Sequence, residues 1–202
     1  MNRELEGKMK MKKQGLGILL LVVSVNSMAS SLVSDPEGYD FHGYYGLGYE
    51  HNDVSIPGLK SDVIPGLTVI AGNHYRQWLD LELRLSTALD TPKFKADNAA
   101  TADTKVSYDY RVTGLLKFKW SPVQALDLSL SAGYSYMDYR LSSPTVEKRD
   151  YQGGLVFGGG LGLNLSKRYS LNLDYLSYQR DKGMSDSSQT WQSGTLSLQY
   201  HY

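Results

Sequence analysis

The residues of this sequence that could do chemistry are charged side chains at every second position. In the clearest case Asp80, Glu82 and Arg84 alternate with leucines. A strand directs alternate side chains to one face, so such residues can form ion pairs between neighbouring strands. The full set of candidates is Asp80, Glu82, Arg84, Asp109, Arg111, Lys117, Lys119, Asp127 and Asp174.

A second candidate is the pair His51 and Ser55, since a histidine can activate a serine hydroxyl as a nucleophile. The two residues lie in a polar connecting segment, where a solvated histidine is the commoner explanation, so the sequence predicts no catalytic residue. The histidines and carboxylates do not have the spacing of a metal site. Residues 158–162 are rich in glycine, but no helical period follows them as a phosphate-binding loop requires. We therefore predict no metal and no cofactor.

Eight amphipathic segments must position the charged residues. The strongest alternation places Leu79, Leu81, Leu83 and Leu85 on one face. The same pattern predicts strands over residues 39–50, 67–73, 79–86, 106–120, 126–136, 155–165, 169–175 and 191–202.

The connections between these segments alternate in length. Residues 74–77, 121–125 and 166–168 are predicted tight turns, and the connections between them are longer and polar. The longer connections are residues 51–65, 90–105, 140–150 and 179–190. This alternation is typical of outer-membrane barrels. The sequence thus predicts an all-β fold, an eight-stranded antiparallel up-and-down transmembrane β-barrel.

A soluble barrel of the lipocalin type is the alternative, because alternation alone does not show which face is inside. The aromatic residues favour the membrane. Tyr108, Tyr110, Phe118 and Trp120 lie at the two ends of one apolar face, as the aromatic girdles of membrane barrels do.

The first 29 residues have the features of a secretory signal peptide. Lysines at positions 8, 10, 12 and 13 precede an apolar run over residues 16–25, and residues 27–29 have a small-x-small pattern. Residues 1–10 are typical of an upstream start. Residues 30–202 then form the barrel domain. They carry a small excess of acidic side chains, which argues against a nucleic-acid partner.

The mature chain resembles the small eight-stranded outer-membrane proteins, such as the OmpA transmembrane domain and OmpX. The resemblance rests on the Gly- and Tyr-rich residues 43–50 and on the terminal residues 198–202. It implies an assembly signal at Leu198, Tyr200 and Tyr202 and a location in the cell outer membrane. It also implies contacts with outer-membrane lipids and lipopolysaccharide, periplasmic chaperones and the barrel-assembly machinery, an unidentified extracellular partner, and a monomeric state.

Three functions remain open at this point. The first is a non-enzymatic structural or surface-interaction protein that acts through its external loops, with the charged residues as an ion-pair plug in a lumen that side chains fill. The second is a narrow gated pore for ions or small solutes, with the same charges as its gate. The third is a lipid A-modifying outer-membrane enzyme that uses a histidine and a serine.

Overall fold

The computed structural model describes residues 43–55, 60–95, 104–142, 147–180 and 190–202. The predicted signal peptide, the first four residues of the first predicted strand and the tips of the longer connections lie outside these ranges. Among the described residues, no helix is long and apolar enough to span a membrane.

Nine strands are present in the described part of the chain. They are β1 (Gly43–Ser55), β2 (Asp62–Arg76), β3 (Leu79–Ala88), β4 (Lys93–Phe94), β5 (Thr104–Val123), β6 (Leu126–Ser142), β7 (Glu147–Asn164), β8 (Tyr169–Arg180) and β9 (Thr190–His201). Eight of them correspond to the predicted strands, and β4 is a two-residue addition in the predicted connection over residues 90–105.

The eight long strands form a closed antiparallel barrel. Sequence neighbours pair around the wall, β3 pairs with β5, and β1 pairs with β9 to complete the circle. The predicted fold class is confirmed. We call the end that holds the short connections and residues 43 and 202 the turn end, and the opposite end the loop end.

The charged face of each strand points into the barrel. On β3, Leu81 is 43% exposed whereas its neighbour Glu82 is 3% exposed. Leucine and aromatic side chains cover the outer wall, which is the arrangement expected against lipid and the reverse of a soluble barrel. The lipocalin-type alternative is thereby excluded.

Alternation predicts the wrong face for three residues near the loop end of β5, which are Val106, Tyr108 and Asp109. The pairing of β5 with β6 shifts register between Tyr108 and Tyr110, as a β-bulge does. Tyr108 therefore turns inward and is 2% exposed, although alternation placed it in the outer girdle. The first two turns are also shorter than predicted, because β2 continues to Arg76 and β5 to Val123, whereas the third spans residues 165–168 and is one residue longer.

An apolar cluster fills the interior at the loop end. Its buried members are Val54, Ile64, Phe94, Val106, Tyr108, Met137 and Tyr139. Phe94 reaches it from β4, so this two-residue strand is attached to the barrel by a completely buried side chain.

Candidate functional site

Four charged side chains meet in the middle of the barrel. Arg84 donates from Nε to Glu82 Oε1 and from Nη2 to Asp174 Oδ2, each at 2.6 Å. Lys117 Nζ lies 3.1 Å from Asp174 Oδ1 and 3.5 Å from Glu82 Oε2. None of the four side chains is more than 6% exposed, so two carboxylates and two cations balance one another away from bulk water. We call these four residues the central cluster.

A glycine of β7 makes room for the central cluster. A Cβ atom on Gly160 would lie 2.2 Å from Asp174 Oδ1 and 3.0 Å from Ser129 Oγ. Any side chain at this position would displace the carboxylate from its two cations. At least one glycine of the run at residues 158–162 therefore serves the packing of the interior, as expected for small residues in a narrow barrel.

A second ion pair lies nearer the loop end. Arg111 Nη2 donates to Glu50 Oε2 at 2.6 Å, and its Nη1 donates to Asn52 Oδ1 at 3.0 Å. The guanidinium also stacks over the ring of Tyr178, at 4.4 Å from the centroid. Ser86 Oγ completes the pair by donating to Glu50 Oε1 at 2.8 Å. This pair, which we call the upper pair, is neutral and completely buried.

A third group of polar side chains lies at the turn end. His74 Nδ1 is 2.7 Å from Asp80 Oδ1, and His74 Nε2 is 3.3 Å from His201 Nδ1. His201 Nε2 is in turn 2.8 Å from Ser170 Oγ. Lys119 Nζ lies 2.9 Å from Asp80 Oδ2. We call these five residues the turn-end cluster.

The hydrogen bonds of the turn-end cluster form a continuous chain whose direction depends on the tautomers of the two histidines. When the neutral His74 ring donates from Nδ1 to Asp80, its Nε2 accepts from His201 Nδ1, and His201 Nε2 then accepts the Ser170 hydroxyl proton. When His74 Nδ1 instead accepts from Lys119 Nζ, which lies 2.9 Å away, the bonds from His74 to Ser170 run in the opposite direction. In both arrangements Asn172 Nδ2 donates to Ser170 Oγ at 3.0 Å.

The interior is closed in the middle and open at the turn end. A vestibule of about 1130 Å³ at the turn end is lined by the two histidines, Lys119 and residues of the short connections. Between it and the central cluster lies a cavity of about 30 Å³, which borders both Lys117 and Lys119. This volume holds only a few water molecules.

Seven of the nine predicted charged residues belong to these three groups. Glu82, Arg84, Lys117 and Asp174 form the central cluster, Arg111 belongs to the upper pair, and Asp80 and Lys119 belong to the turn-end cluster. Asp127 lies beside the vestibule and accepts a hydrogen bond from Asn164 Nδ2 at 3.1 Å. Lys119, on the other side of the same turn, pairs with Asp80.

Asp109 does not join the buried charges. It is the residue displaced by the bulge on β5, and its carboxylate meets Arg140 Nη2 at 2.8 Å on the outer wall, where both side chains are about 40% exposed. The same shift that turned Tyr108 inward thus turned Asp109 outward.

His51 and Ser55 do not form a catalytic pair in the structure. His51 is exposed at the loop end, and its Nε2 lies 3.8 Å from Asp53 Oδ1. No hydrogen bond joins it to Ser55. Within the described ranges, no group of three or more potential ligands could hold a metal ion.

The predicted assembly residues lie on the outer wall of the turn end. Leu198, Tyr200 and Tyr202 are all at least 38% exposed. The ring of Tyr202 stacks on Tyr45 at 5.2 Å between centroids. Partial burial, together with the hydrogen bond to Tyr45, raises the pKa of the Tyr202 phenol to about 12. The role of these residues in assembly stays a prediction.

Sequence reasoning missed several members of the buried groups. Glu50 lies on the polar face of β1 and could have been found by the same alternation that identified Glu82. His74 was predicted in a turn and His201 only at a strand end. No local signal could have paired these histidines, because they meet only when β2 and β9 flank β1 in the closed wall.

Comparisons with known proteins agree with this architecture. A family model described as "Outer membrane protein beta-barrel domain" matches residues 17–201. Comparison with curated protein sequences finds no match.

Solved structures with the same fold are outer-membrane and surface proteins. Ail, the attachment invasion locus protein of Yersinia pestis, aligns with a TM-score of 0.59 at 16% identity, over 81% of this chain and 100% of that chain. Neisserial surface protein A aligns with a TM-score of 0.58 at 12% identity, over 79% and 97% of the two chains. The N-terminal β-barrel domain of Pseudomonas aeruginosa OprF has a TM-score of 0.52 at 9% identity, over 78% and 97%. At these identities the likeness concerns the fold alone.

Proposed function

This chain belongs to the outer membrane protein β-barrel domain family, and we propose that it is a non-enzymatic surface protein whose loop end binds a partner outside the cell. Its eight strands hold the loop end beyond the bilayer, and the residues that recognise the partner lie there. Binding and catalytic residues are commonly carried by connections that a rigid scaffold positions.

The observation that carries the proposal is the filled interior. The apolar cluster occupies the loop end, and the upper pair and the central cluster fill the barrel below it. Each ion pair is neutral and buried, so an ion that entered would have to separate charges that nothing else compensates. A filled interior supports a function at the surface over one in transport.

One relative suggests what kind of partner to test. Ail of Yersinia pestis was solved in complex with the heparin analogue sucrose octasulfate. The likeness to that protein concerns the fold, and a sulfated sugar is therefore a first probe rather than an identified ligand of this chain.

Conductance of the refolded protein in planar bilayers tests the filled interior. We expect no discrete openings at neutral pH. Ion-selective openings that change with Glu82→Gln would instead support the narrow-pore function, with the central cluster as its gate.

Labelling of single cysteines tests which end faces outward, because the chain has no native cysteine. Asp90→Cys lies at the loop end and Ala125→Cys in a short turn, and both positions are exposed. On intact cells a membrane-impermeant maleimide should label Asp90→Cys, and should label Ala125→Cys only after lysis. The reverse result would contradict a loop end outside the cell.

A further inference from the structure

Four exposed lysines come together on the outer wall of the loop end. Lys60 precedes β2, Lys93 and Lys95 flank Phe94, and Lys105 lies at the start of β5. Lys93 and Lys105 are direct partners across the β4–β5 pair, and the backbone N of Lys60 donates to the carbonyl of Lys95 at 2.9 Å. The fold thus assembles lysines from three separate parts of the chain into what we call the lysine patch.

The lysine patch is firmly attached to the barrel. Phe94 is 0% exposed and packs in the apolar cluster with Val106 and Ile64. Since side chains alternate along a strand, burying Phe94 turns Lys93 and Lys95 outward. Cross-strand partners have Cβ atoms about 5 Å apart, and residues two apart on a strand are separated by about 7 Å. The positive charges are therefore closely spaced on a backbone fixed by pairing.

Stability does not account for this arrangement. Like charges directly opposite each other on paired strands are destabilising. Among the residues that the structure describes, no carboxylate lies within ion-pair distance of the four amino groups. The nearby Asp62 and Asp90 accept hydrogen bonds from the backbone N–H groups of Val63 and Thr91. Within the described residues, the four amino groups therefore face solvent without an ion-pair partner.

We propose that the lysine patch binds a polysulfated glycan that approaches from outside the cell. A glycan of this class carries several fixed negative charges along a flexible chain, which match several closely spaced point charges better than one deep pocket. The proposal rests on the proposed function, which places the loop end outside, and it names the class of partner.

The height of the patch favours an external ligand over the lipids of the same membrane. Aromatic girdles mark the level of the lipid headgroups, and Tyr110 is the outward aromatic of β5 nearest the loop end. Lys105 lies five positions beyond it, roughly 16 Å along a strand and about 12 Å along the membrane normal at a strand tilt of about 40°. This height exceeds the screening length of about 8 Å at physiological ionic strength.

Binding of sucrose octasulfate to the refolded protein in lipid vesicles tests the proposal, with unsulfated sucrose as the ligand control. We expect saturable binding of the sulfated sugar alone, weakening as salt rises. The double variant Lys93→Gln, Lys105→Gln should weaken binding about tenfold. Its thermal stability should stay the same or rise, because a repulsive pair has been removed.

A matched variant at the turn end distinguishes binding at the lysine patch from non-specific attraction of the sulfated sugar to exposed cations. Lys167→Gln, Arg168→Gln removes the same number of exposed cations from the turn end and should bind like the wild type. Equal weakening by the two double variants, or unchanged binding by the first, would overturn the proposal. So would an effect of the first variant on lipopolysaccharide in the vesicles and not on the sugar, which would assign the patch to the membrane.

Phe94→Ala tests whether binding needs the attachment of the lysine patch to the barrel, and it changes no charge. It should weaken binding several-fold while the barrel keeps its heat-modifiable migration on gels. Binding equal to the wild type would show that the lysines act without a fixed geometry and would contradict this part of the proposal. If the patch fails these tests while cysteine labelling still places the loop end outside, the proposed function stands and only the partner class is lost.

Discussion

The central cluster and the turn-end cluster lie in the same barrel interior but differ in what holds them together. The central cluster contains only groups that stay charged across the physiological pH range, and none of its side chains is more than 6% exposed. The turn-end cluster is held by two histidines that hydrogen-bond to each other, and His74 is 25% exposed beside an open vestibule. The central cluster therefore closes the interior at any physiological pH, whereas the turn-end cluster is sensitive to pH and to water in the vestibule.

This difference shows that the two parts of one barrel interior should tolerate the loss of a polar partner to different extents. In the middle, every carboxylate has a cation and every cation a carboxylate, so that removing one partner leaves a buried charge. At the turn end, water from the vestibule can replace a lost hydrogen bond. Matched substitutions in the two regions should therefore have unequal effects.

The largest expected effect comes from Asp174→Asn. It leaves Arg84 and Lys117 with a single carboxylate, and breaking a buried ion pair in this way costs about 3–5 kcal/mol. Asp127→Asn beside the vestibule is the matched control and should cost less than about 1 kcal/mol. Urea unfolding in lipid vesicles measures both. Equal losses would remove the distinction between a dry centre and a hydrated end.

The next largest effect is expected for a substitution on the outer wall, at the same height as the central cluster. Leu83 points outward between Glu82 and Arg84, and an arginine near the bilayer midplane costs about 2–4 kcal/mol. Leu83→Arg should impair insertion, whereas Leu83→Met should not. Normal folding of Leu83→Arg into a water-soluble protein would contradict the lipid-facing assignment of this wall.

Acid should affect the turn end and spare the centre. Burial, with the neighbouring His74 and Lys119, lowers the pKa of His201 below that of an unfolded histidine. The stability that this ring contributes is therefore present at neutral pH and lost as pH falls through the usual histidine range. Asp80 and Asp127 act in the opposite direction but more weakly. Because the ring borders an open vestibule, we expect a loss of no more than about 1 kcal/mol between about pH 7.5 and about pH 5.5.

The double variant His74→Gln, His201→Gln provides the control for this pH dependence. It should flatten the dependence of the unfolding free energy on pH between the same limits. A stability that rises on acidification in the wild type would show that the rings are charged in the folded barrel.

The smallest expected effect concerns the outer wall of the turn end. Tyr202→Ala removes the stacking on Tyr45, a contact of about 0.5–1.5 kcal/mol, and Tyr202→Phe keeps it. The alanine variant should lower the amount of folded protein in the outer membrane, and the phenylalanine variant should not. Equal amounts for all three proteins would show that the terminal ring carries no assembly signal.

Alternation predicted most of the wall and placed Glu82, Arg84 and Asp174 on the polar face of their strands, because a strand's period of two is local information. The aromatic residues then indicated that this face points inward. It could not predict which charges meet. Asp174 on β8 pairs with Arg84 on β3 across the interior, and such contacts depend on the circumference and stagger of the closed barrel.

Two further features had no clear local signal. The bulge at Tyr108 depends on the register between β5 and β6, and it turns Val106 and Tyr108 inward although alternation placed both on the outer face. The lysine patch needs β4, a strand of two residues that alternation cannot detect. In both cases the information lies in how strands are paired rather than in any one strand.

The seam between β1 and β9 has a consequence for the timing of folding. The two strands pair from Tyr44 with His201 to Ser55 with Thr190, and Tyr202 N donates to the carbonyl of Gly43 at 3.1 Å. Of the described strands, the first must therefore be joined by the last before the ring can close. Until then both strands have an edge without a partner, and such edges invite aggregation. The unfinished barrel is thus most exposed to aggregation until β9 has paired with β1.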